Sequence, residues 1–561
     1  MPDRTSGLLL ALLALGCGTS SGPASDAGGA LPDTGATMLD EGALPEPDLA
    51  VPGPDASPAP CPVEGLGEPG VVATDRGAVR GVASGEAWAF LGIPFAAPPL
   101  GELRWAPPEA PACIDGVLDA AAFGPRCPQL GGDGAVIGDE DCLQLNVWAP
   151  RDALGEGDRP VLFFVHGGGN AQGSTSQGVG RRVLYDGRFL AEAFDVVVVT
   201  TNYRLGVLGY LSHPELDARF GASGNYGLRD QIAALAWARR NLPAFGGDPE
   251  RVLLFGESAG AVNTCLLLTS PLAEGLFSRA LMQSGGCVAD GPLAAAQLSA
   301  EQVEASGCTG AAEGEVECLR RQSPTALIEA FPPDIQVAGR STALGPRVDG
   351  VVLLDAPGEV IARGDHNRMP VVIGHNTEET SRTVPPVPDV ATYRALVRAQ
   401  FGPFAEQVLA QYPAASYATP EDAYVAVTTD ARFGCGPRTN LRALAASQTE
   451  PVYRYVYGQA LESSPTLAAA GAYHGVELFT VFQNLRFAGY RPSDAELSFM
   501  AQVGGYWTRF AASGDPNGGG EPAWPAYDAS RDPYLFLKAG EVGAGQGWRT
   551  AECDFWAGLV P

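Results

Sequence analysis

The chain has 561 residues, of which 45% are hydrophobic and 18% charged, and this globular balance provides enough apolar material for a large core. Its 36 basic and 64 acidic side chains give a formal net charge of -28. Because this charge repels phosphate backbones, the composition argues against nucleic acid as a partner.

The first seventeen residues have the pattern of an export signal. Arg4 precedes an apolar run over residues 8–15, which is too short to span a bilayer as a helix and is typical of a signal peptide over residues 1–17. The last five residues of this segment, LALGC, resemble a bacterial lipobox, which implies lipidation of Cys17. Export without a lipid anchor and a buried apolar N-terminal helix are the alternatives.

A polar, low-complexity segment follows over residues 18–64. It is rich in Gly, Ser, Pro, Ala and Asp and has almost no aromatic residues, so it buries too little apolar surface to offset the entropy of ordering. We expect a disordered tether here. The folded body is predicted over residues 65–561.

The chain has 11 cysteines, and an export signal favours reading them as disulfides. Ten remain without Cys17, and the close neighbours are Cys127 with Cys142 and Cys308 with Cys318. Spacing alone does not determine which cysteines pair. No Cys-x-x-Cys pair or His/Cys cluster predicts a metal site.

The body alternates short apolar runs, typical of buried strands, with longer stretches of helical periodicity. Strands separated by helical crossovers predict an α/β fold with a large, mostly parallel sheet covered on both faces. The predicted strands cover residues 160–165, 196–200, 251–255, 280–283 and 371–373, and the predicted helices cover residues 227–242 and 261–268.

One motif lies at the joint of a predicted strand and a predicted helix. Residues 256–260 read GESAG, a G-x-S-x-G pattern that in this setting indicates a nucleophile elbow holding Ser258 above the sheet. The glycines allow close packing on both sides, and the helix N-terminus favours developing negative charge. The alternative is a tight turn with no chemical role.

A serine nucleophile needs amide donors for the oxyanion that forms during acyl transfer. The strand over residues 160–165 is followed by HGGGN, and consecutive glycines let the backbone direct N–H groups into a cavity. The predicted donors are the amides of Gly168, Gly169 and Ala259. A flexible surface loop is the alternative.

The serine also needs a base, and the expected chain order is serine, acid, histidine. The histidines are His166, His213, His366, His375 and His474. The first two precede Ser258, and His366 lies in a charged stretch that predicts an exposed turn. His375 and His474 therefore remain as candidates.

The candidate acids follow the predicted strand at residues 371–373. Glu378 and Glu379 lie in the sequence GHNTEET, and a carboxylate at a strand end reaches a histidine on a later loop. His375 is too close in sequence to be the partner of this loop, which favours His474. The alternative is a solvated pair of charges.

Several long motifs in order resemble the type-B carboxylesterases, the α/β-hydrolase branch that includes carboxylesterases, lipases and cholinesterases. The resemblance extends from residue 71 to residue 556. Its motifs are FLGIPFAAPPLGELRW at 90–105, EDCLQLNVW at 140–148, GNYGLRDQIAALAWARRNLPAFGGDPERVLLFGESAGA at 224–261, YHGVELFTVF at 473–482, YWTRFAASGDPN at 506–517 and WPAYD at 524–528.

The resemblance implies an α/β-hydrolase fold and assigns roles to particular residues. The implied triad is Ser258, Glu379 and His474, the implied oxyanion-hole residues are Gly168, Gly169 and Ala259, and Ser284 supports the acid from behind. The implied salt bridges are Arg104–Glu140 and Arg204–Asp230, and the implied disulfides are Cys127–Cys142, Cys308–Cys318 and Cys435–Cys553. Cys61 and Cys113 then remain as a further pair, and Cys265 and Cys287 as free, buried thiols.

Two departures bear on the substrate. Asn170 replaces the aromatic residue that often follows the glycines, which predicts a more polar pocket wall. The loop between Cys127 and Cys142 has no tryptophan to face a quaternary ammonium, so choline esters are not expected.

The sequence therefore predicts an exported hydrolase of uncharged carboxylic esters that works through an acyl-enzyme and needs no cofactor. Its partners are small-molecule esters, and a membrane only through the lipid anchor. The alternatives are a lipase for long-chain glycerides and a non-catalytic binding protein of the same fold. The natural ester and the oligomeric state are left open.

Overall fold

The computed structural model describes residues 60–63, 65–334 and 343–559. The strands are β1 (Val71–Thr74), β2 (Gly77–Arg80), β3 (Val82–Ser84), β4 (Ala87–Pro94), β5 (Val117–Asp119), β6 (Gln129–Leu130), β7 (Val136–Ile137), β8 (Gln144–Pro150), β9 (Arg159–Val165), β10 (Gly178–Val179), β11 (Arg182–Val183), β12 (Val197–Thr201), β13 (Gly247–Glu257), β14 (Arg279–Gln283), β15 (Val371–Asn376), β16 (Val452–Tyr457), β17 (Pro533–Leu537) and β18 (Gly543–Gln546).

The α-helices are α1 (Arg188–Phe194), α2 (Gly206–Tyr210), α3 (Pro214–Phe220), α4 (Tyr226–Asn241), α5 (Ala259–Thr269), α6 (Pro292–Ala305), α7 (Glu315–Arg320), α8 (Pro324–Ala330), α9 (Pro357–Arg363), α10 (Val390–Phe401), α11 (Ala405–Gln411), α12 (Pro420–Thr429), α13 (Cys435–Ser447), α14 (Pro465–Ala468), α15 (Glu477–Val481), α16 (Asp494–Ser513) and α17 (Thr550–Leu559). Short 3₁₀ turns cover Gly101–Leu103, Leu242–Phe245, Pro271–Ala273, Gly402–Phe404 and Ala414–Ser416, and a π-helical turn covers Asp430–Gly434.

An eleven-stranded sheet forms the centre of the body, in the order β18-β17-β16-β15-β14-β13-β9-β12-β8-β4-β3. Seven neighbouring strands, from β17 to β12, are parallel, and the strands beyond them at both edges are antiparallel. The predicted α/β fold with a mostly parallel sheet is confirmed. Each predicted strand and helix overlaps one of these elements.

The middle strands read as continuous apolar runs because both of their faces are buried. In β9, Val161 and Phe163 belong to one core cluster while Leu162 and Phe164 belong to another. Since successive side chains point to opposite faces of a sheet, these clusters are the two layers of core under the covering helices.

The parallel strands carry their functional residues at one edge. Strands β9, β13, β14 and β15 end at Val165, Glu257, Gln283 and Asn376. Because parallel strands end on the same side, the loops that follow them converge, which is where open α/β sheets bind ligands. None of the helices in the described part of the chain is long and apolar enough to cross a bilayer.

Five disulfides close the described body. The three disulfides implied by the resemblance form, and so does Cys61–Cys113. Cys61 was predicted as part of the tether, but this disulfide joins it to the body. The expectation of free thiols at Cys265 and Cys287 is wrong, since the two are bonded with Cα atoms 5.2 Å apart. Their helix and loop leave adjacent parallel strands and so lie side by side, which sequence spacing does not reveal.

Both implied salt bridges are buried. The Arg104 guanidinium contacts the Glu140 carboxylate at 2.5 Å, and that of Arg204 contacts Asp230 at 2.7 Å. Arg204 also donates to the Ala106 carbonyl at 2.9 Å. Buried charges need such partners because solvent no longer compensates them.

Candidate active site

Ser258 lies at a sharp turn between β13 and α5. Its backbone has φ 58° and ψ -122°, a conformation that non-glycine residues rarely adopt, and its N–H donates to the Gln283 carbonyl of β14 at 2.9 Å. Strain of this kind persists only where the surrounding structure enforces it. The turn places the serine at the carboxyl edge of the sheet.

The two glycines that flank Ser258 are sterically required. A Cβ on Gly256 would overlap the backbone of Gly260, and one on Gly260 would overlap the carbonyl oxygen of Val165 in β9. The first turn of α5 therefore packs against β9 with no room for side chains. The G-x-S-x-G pattern is in this way a packing requirement as well as a signature.

The side chains of Glu379 and His474 form a direct hydrogen bond. The Glu379 carboxylate is buried, and its Oε2 lies 2.6 Å from Nδ1 of His474. Its Oε1 accepts the Asn376 N–H at 2.7 Å, and the His474 N–H donates to the Glu379 carbonyl at 3.0 Å. These contacts fix the imidazole so that Nδ1 carries the proton and Nε2 faces away from Glu379.

A second carboxylate faces the other ring nitrogen. Oε1 of Glu257, the residue before Ser258, lies 3.1 Å from Nε2 of His474. The imidazole is therefore at the elbow, although no hydrogen bond between the Ser258 hydroxyl and His474 forms in the described chain. Glu257 occupies a variable position of the motif and was not predicted as a site residue.

Glu477 is a third buried carboxylate and was also missed. Its Oε1 accepts from the Gln283 amide at 3.2 Å and its Oε2 from the Asn376 amide at 2.6 Å. Glu477 thus joins the ends of β14 and β15 under the site. The spacing of Glu477 three residues after His474, on the same turn, is the signal that could have indicated it.

The buried charged groups at the site shift the pKa of Glu257, of Glu477 and of His474. Burial is the main cause that raises the pKa of Glu257 and of Glu477, and the neighbouring carboxylates raise both further. Burial alone would lower the pKa of His474, but Glu257 and Glu379 outweigh it and raise that pKa to about 9. The imidazole is therefore a stronger base than an isolated histidine.

The glycine loop after β9 has a backbone that glycine readily adopts. Gly168 and Gly169 have φ 109° and 64°, and the Gly168 carbonyl accepts the N–H of Ala171 and of Gln172. Among the described residues, no backbone or side-chain acceptor engages the N–H groups of Gly168, Gly169 or Ala259.

Asn170 was predicted at the pocket wall, but its side chain is engaged inside the protein. Its side chain is buried, and its amide exchanges hydrogen bonds with that of Asn263 in α5, at 2.8 and 3.2 Å. The Tyr210 hydroxyl donates to Asn170 Oδ1 at 3.2 Å, and the Asn170 carbonyl accepts from Gly206. The amide therefore ties the glycine loop to α5 and α2, and the expectation of a more polar pocket wall is wrong.

Ser284, which the resemblance implies as a support for the acid, lies directly after β14. It is buried with φ 55°, and its N–H donates to the Gly374 carbonyl at 2.8 Å. Its hydroxyl has no hydrogen-bond partner in the described chain, so it does not bond to Glu379. Its neighbour Gly285 packs on the Ser258 carbonyl, where a Cβ would come within 2.7 Å.

A π-helical turn over Asp430–Gly434 forms one wall beside the histidine. The Phe433 ring lies 4.6 Å from the His474 ring, and the Arg432 guanidinium lies 5.4 Å from the centre of the Phe433 ring. Insertions of this kind often occur at functional sites. No sequence pattern predicted this turn.

The other four histidines have different surroundings. His166 is buried against the Tyr203 ring, and burial lowers its pKa to about 4. His213 pairs with Glu315 at 2.8 Å. His366, predicted in an exposed turn, is instead buried with Nε2 2.9 Å from the Gln448 amide oxygen, and burial lowers the pKa of His375 to about 3.

The sheet order, the strained turn and the imidazole beside it define an α/β-hydrolase. A sequence profile of the carboxylesterase family matches residues 68–556. The chain belongs to this family and is a carboxylic ester hydrolase.

Individual relatives agree with the family assignment. The chain is 38% identical to a fumonisin B1 esterase of Sphingopyxis macrogoltabida, over 84% of this chain and 87% of that one. It is 32% identical to carboxylesterase 1D of Rattus norvegicus, over 84% and 88%. Among solved structures, PNB esterase superposes with a TM-score of 0.75 at 31% identity, over 87% of this chain and all of that one. These findings do not favour a lipase or a non-catalytic binding protein.

Proposed function

We propose that Ser258, His474 and Glu379 are the catalytic triad of this ester hydrolase. The observation that carries the proposal is the 2.6 Å bond between Glu379 and His474, with the imidazole next to the residue that precedes Ser258. Serine, base and orienting acid are the groups that acyl transfer needs. The elbow supplies the nucleophile at the sheet edge.

The reaction follows from the placement of these groups. The Ser258 hydroxyl attacks the ester carbonyl while Nε2 of His474 takes its proton, and Glu379 stabilises the imidazolium that forms. The amides of Gly168, Gly169 and Ala259 donate to the oxyanion, and each such donor contributes on the order of 10²–10³ in rate. His474 returns the proton to the leaving alcohol, and water repeats the cycle on the acyl-serine.

A small, mostly apolar pocket lies beside the glycine loop. It is lined by Ala171, Leu205, Val207, Phe331 and Leu344, among others. Apolar walls with few polar groups are typical of small-molecule sites. The pocket supports the prediction of uncharged esters as substrates.

The test is a Ser258→Ala variant assayed with 4-nitrophenyl butyrate. We expect kcat/KM to fall by about 10⁴–10⁶-fold while the circular dichroism spectrum and Tm stay unchanged. A fluorophosphonate probe should add its mass to the peptide that contains Ser258 in the wild type and to no peptide in the variant. Retained turnover in a folded Ser258→Ala protein would refute the assignment.

Five disulfides indicate an extracellular or exported protein. The signal peptide over residues 1–17, Cys17 and most of the tether over residues 18–64 lie outside the described residues. We propose that Cys17 is lipidated and that the tether joins this anchor to the body over residues 65–561. Expression of the full chain in a bacterial host, followed by detergent phase partition, should place the wild type in the detergent phase and a Cys17→Ser variant in the aqueous phase. Equal partition of the two would contradict the anchor.

A further inference from the structure

The π-helical turn over Asp430–Gly434 places a cation beside the site. Arg432 is solvent-exposed, and its guanidinium lies over the ring of Phe433, which in turn packs on the imidazole of His474. The floor of the same region is formed by the buried carboxylates of Glu257 and Glu379. In a chain with net charge -28, the guanidinium adds a positive charge to this wall.

Arg432 is exposed to solvent and lies next to Phe433, whose ring packs on the imidazole. Although it is accessible to solvent, desolvation by the protein around it lowers the pKa of the guanidinium, and the nearby Glu379 carboxylate opposes that lowering. Arg432 therefore combines contact with water and a position deep enough to sense Glu379.

We propose that Arg432 binds a carboxylate carried by the alcohol portion of the ester. The inference rests on the proposed function, because His474 returns its proton to the leaving alcohol, so that the alcohol lies on the histidine side of the site. The carbonyl oxygen lies on the other side, at the glycine loop. The wall on the histidine side is formed by Phe433 and then Arg432.

The recognition is electrostatic and directional. A planar guanidinium matches the two oxygens of a carboxylate, and a neighbouring aromatic ring supports the flat alcohol portion of an aryl ester. Without this cation, an anionic ester would meet mainly carboxylates at the site. The substrate range predicted from the sequence, uncharged esters, thus extends to esters with one carboxylate beyond the ester oxygen.

The test compares two aryl acetates that carry either a methyl ester or a free carboxylate at the far side of the ring. The neutral ester is methyl 4-acetoxybenzoate, and the anionic ester is 4-acetoxybenzoate, whose carboxylate lies one aromatic ring away from the ester oxygen. The acetyl group passes to Ser258 and then to water in both cases, and the released phenol is followed by absorbance at pH 8. The measured quantity is kcat/KM for the anionic ester divided by kcat/KM for the neutral one, within each enzyme.

We expect Arg432→Gln to lower this ratio by about fivefold, the effect of losing one solvent-accessible ion pair. Arg432→Lys should restore part of the ratio, since it keeps the charge but not the bidentate geometry. If Arg432 served only to hold Phe433 in place, Arg432→Gln would reduce kcat/KM for both esters together and leave their ratio unchanged. An unchanged ratio in Arg432→Gln would therefore overturn the proposal.

Two controls make the result specific. Arg363→Gln removes an exposed arginine at the end of α9, just before β15 begins and thus at the opposite edge of the sheet, and should leave the ratio unchanged. The acyl-side pair of 4-nitrophenyl hexanoate and mono-4-nitrophenyl adipate should keep its ratio in Arg432→Gln, and an equal fall there would contradict the placement on the alcohol side.

The two proposals fail separately. If Ser258→Ala abolishes turnover of both acetoxybenzoates while Arg432→Gln leaves their ratio unchanged, only the carboxylate site is refuted. If Ser258→Ala keeps its turnover, the proposed function itself is refuted.

Discussion

The carboxylate of Glu257 should determine the pH at which His474 becomes an active base. Glu257 Oε1 lies 3.1 Å from Nε2, the ring nitrogen that accepts the serine proton in the proposed mechanism. Its negative charge favours the imidazolium, so it raises the pKa of His474. The substitution Glu257→Gln keeps the size of the side chain and removes the charge.

The size of the effect follows from the distance. Two unit charges 3.1 Å apart interact by roughly 1 kcal/mol at the dielectric constant of water and by roughly 5 kcal/mol at an effective value of 20. The lower part of this range applies, because His474 has some contact with solvent and burial raises the pKa of Glu257, which reduces its mean charge. We expect Glu257→Gln to lower the pKa of His474 by about 1–2 units.

The assay is the pH dependence of kcat/KM for 4-nitrophenyl butyrate. Its acidic limb reports the base in the free enzyme, which must be neutral to accept a proton. A lower pKa leaves the imidazole neutral at lower pH, so the limb should move to lower pH by the same 1–2 units, with a reduced plateau because the transition-state imidazolium loses a stabilising charge.

Glu378→Gln is the matched control. Glu378 lies beside Glu379 in sequence, but its carboxylate accepts the Ala472 N–H at 2.8 Å and the Thr377 hydroxyl at 2.5 Å. Removing this charge should leave the limb in place. An acidic limb that stays put or moves upward in Glu257→Gln would show that Glu257 is not charged next to the imidazole, and the electrostatic reasoning would fail.

Three further changes test the scaffold around the site. A Cys265→Ser/Cys287→Ser double variant should lose about 3 kcal/mol of unfolding free energy in denaturant titrations, as expected for a loop of this length. Titration of Cys265 and Cys287 as two free thiols in the unreduced, unfolded wild type would contradict the disulfide. Gly260→Ala should not fold or should lose several-fold in soluble yield, whereas Gly358→Ala, with open space at its Cβ, should be tolerated, and similar yields would argue against the close packing. Asn170→Gly, which keeps the positive φ possible but removes the amide, should lower kcat about tenfold with little change in KM, and a change in KM alone would place Asn170 in substrate binding instead.

The parts of the site that sequence reasoning identified are those governed by local geometry. The elbow needs two glycines at fixed spacing because their Cβ positions are occupied by backbone, and a requirement of that kind is visible in the letters themselves. The same is true of the glycine loop after β9. The strand-end position and the chain order left Glu378 and Glu379 open as partners of His474, and the family resemblance selected Glu379, which bonds to the imidazole.

The site residues that the sequence did not reveal depend on contacts between segments that are distant along the chain. Glu257 and Glu477 matter because they are buried together, and the sequence around them does not reveal that burial, although Glu477 follows His474 by three residues. Asn170 was expected at the pocket wall, but Asn263, which is 93 residues away along the chain, engages its amide. The prediction of an exposed turn at His366 failed for the same reason. Its charged neighbours suggested exposure, but Gln448, directly after α13, contacts its ring.

The far end of the chain braces the wall that contacts the imidazole. Cys553 in α17 is bonded to Cys435, the first residue after the π-helical turn, and Arg549 holds Asp430 at the start of that turn with a 2.9 Å contact. Trimming or nicking the tail near residue 549 would therefore loosen a support for the general base, although no tail residue needs to meet the ester. An intact carboxyl terminus, checked by mass, belongs among the criteria for a competent preparation, and tags are better attached elsewhere.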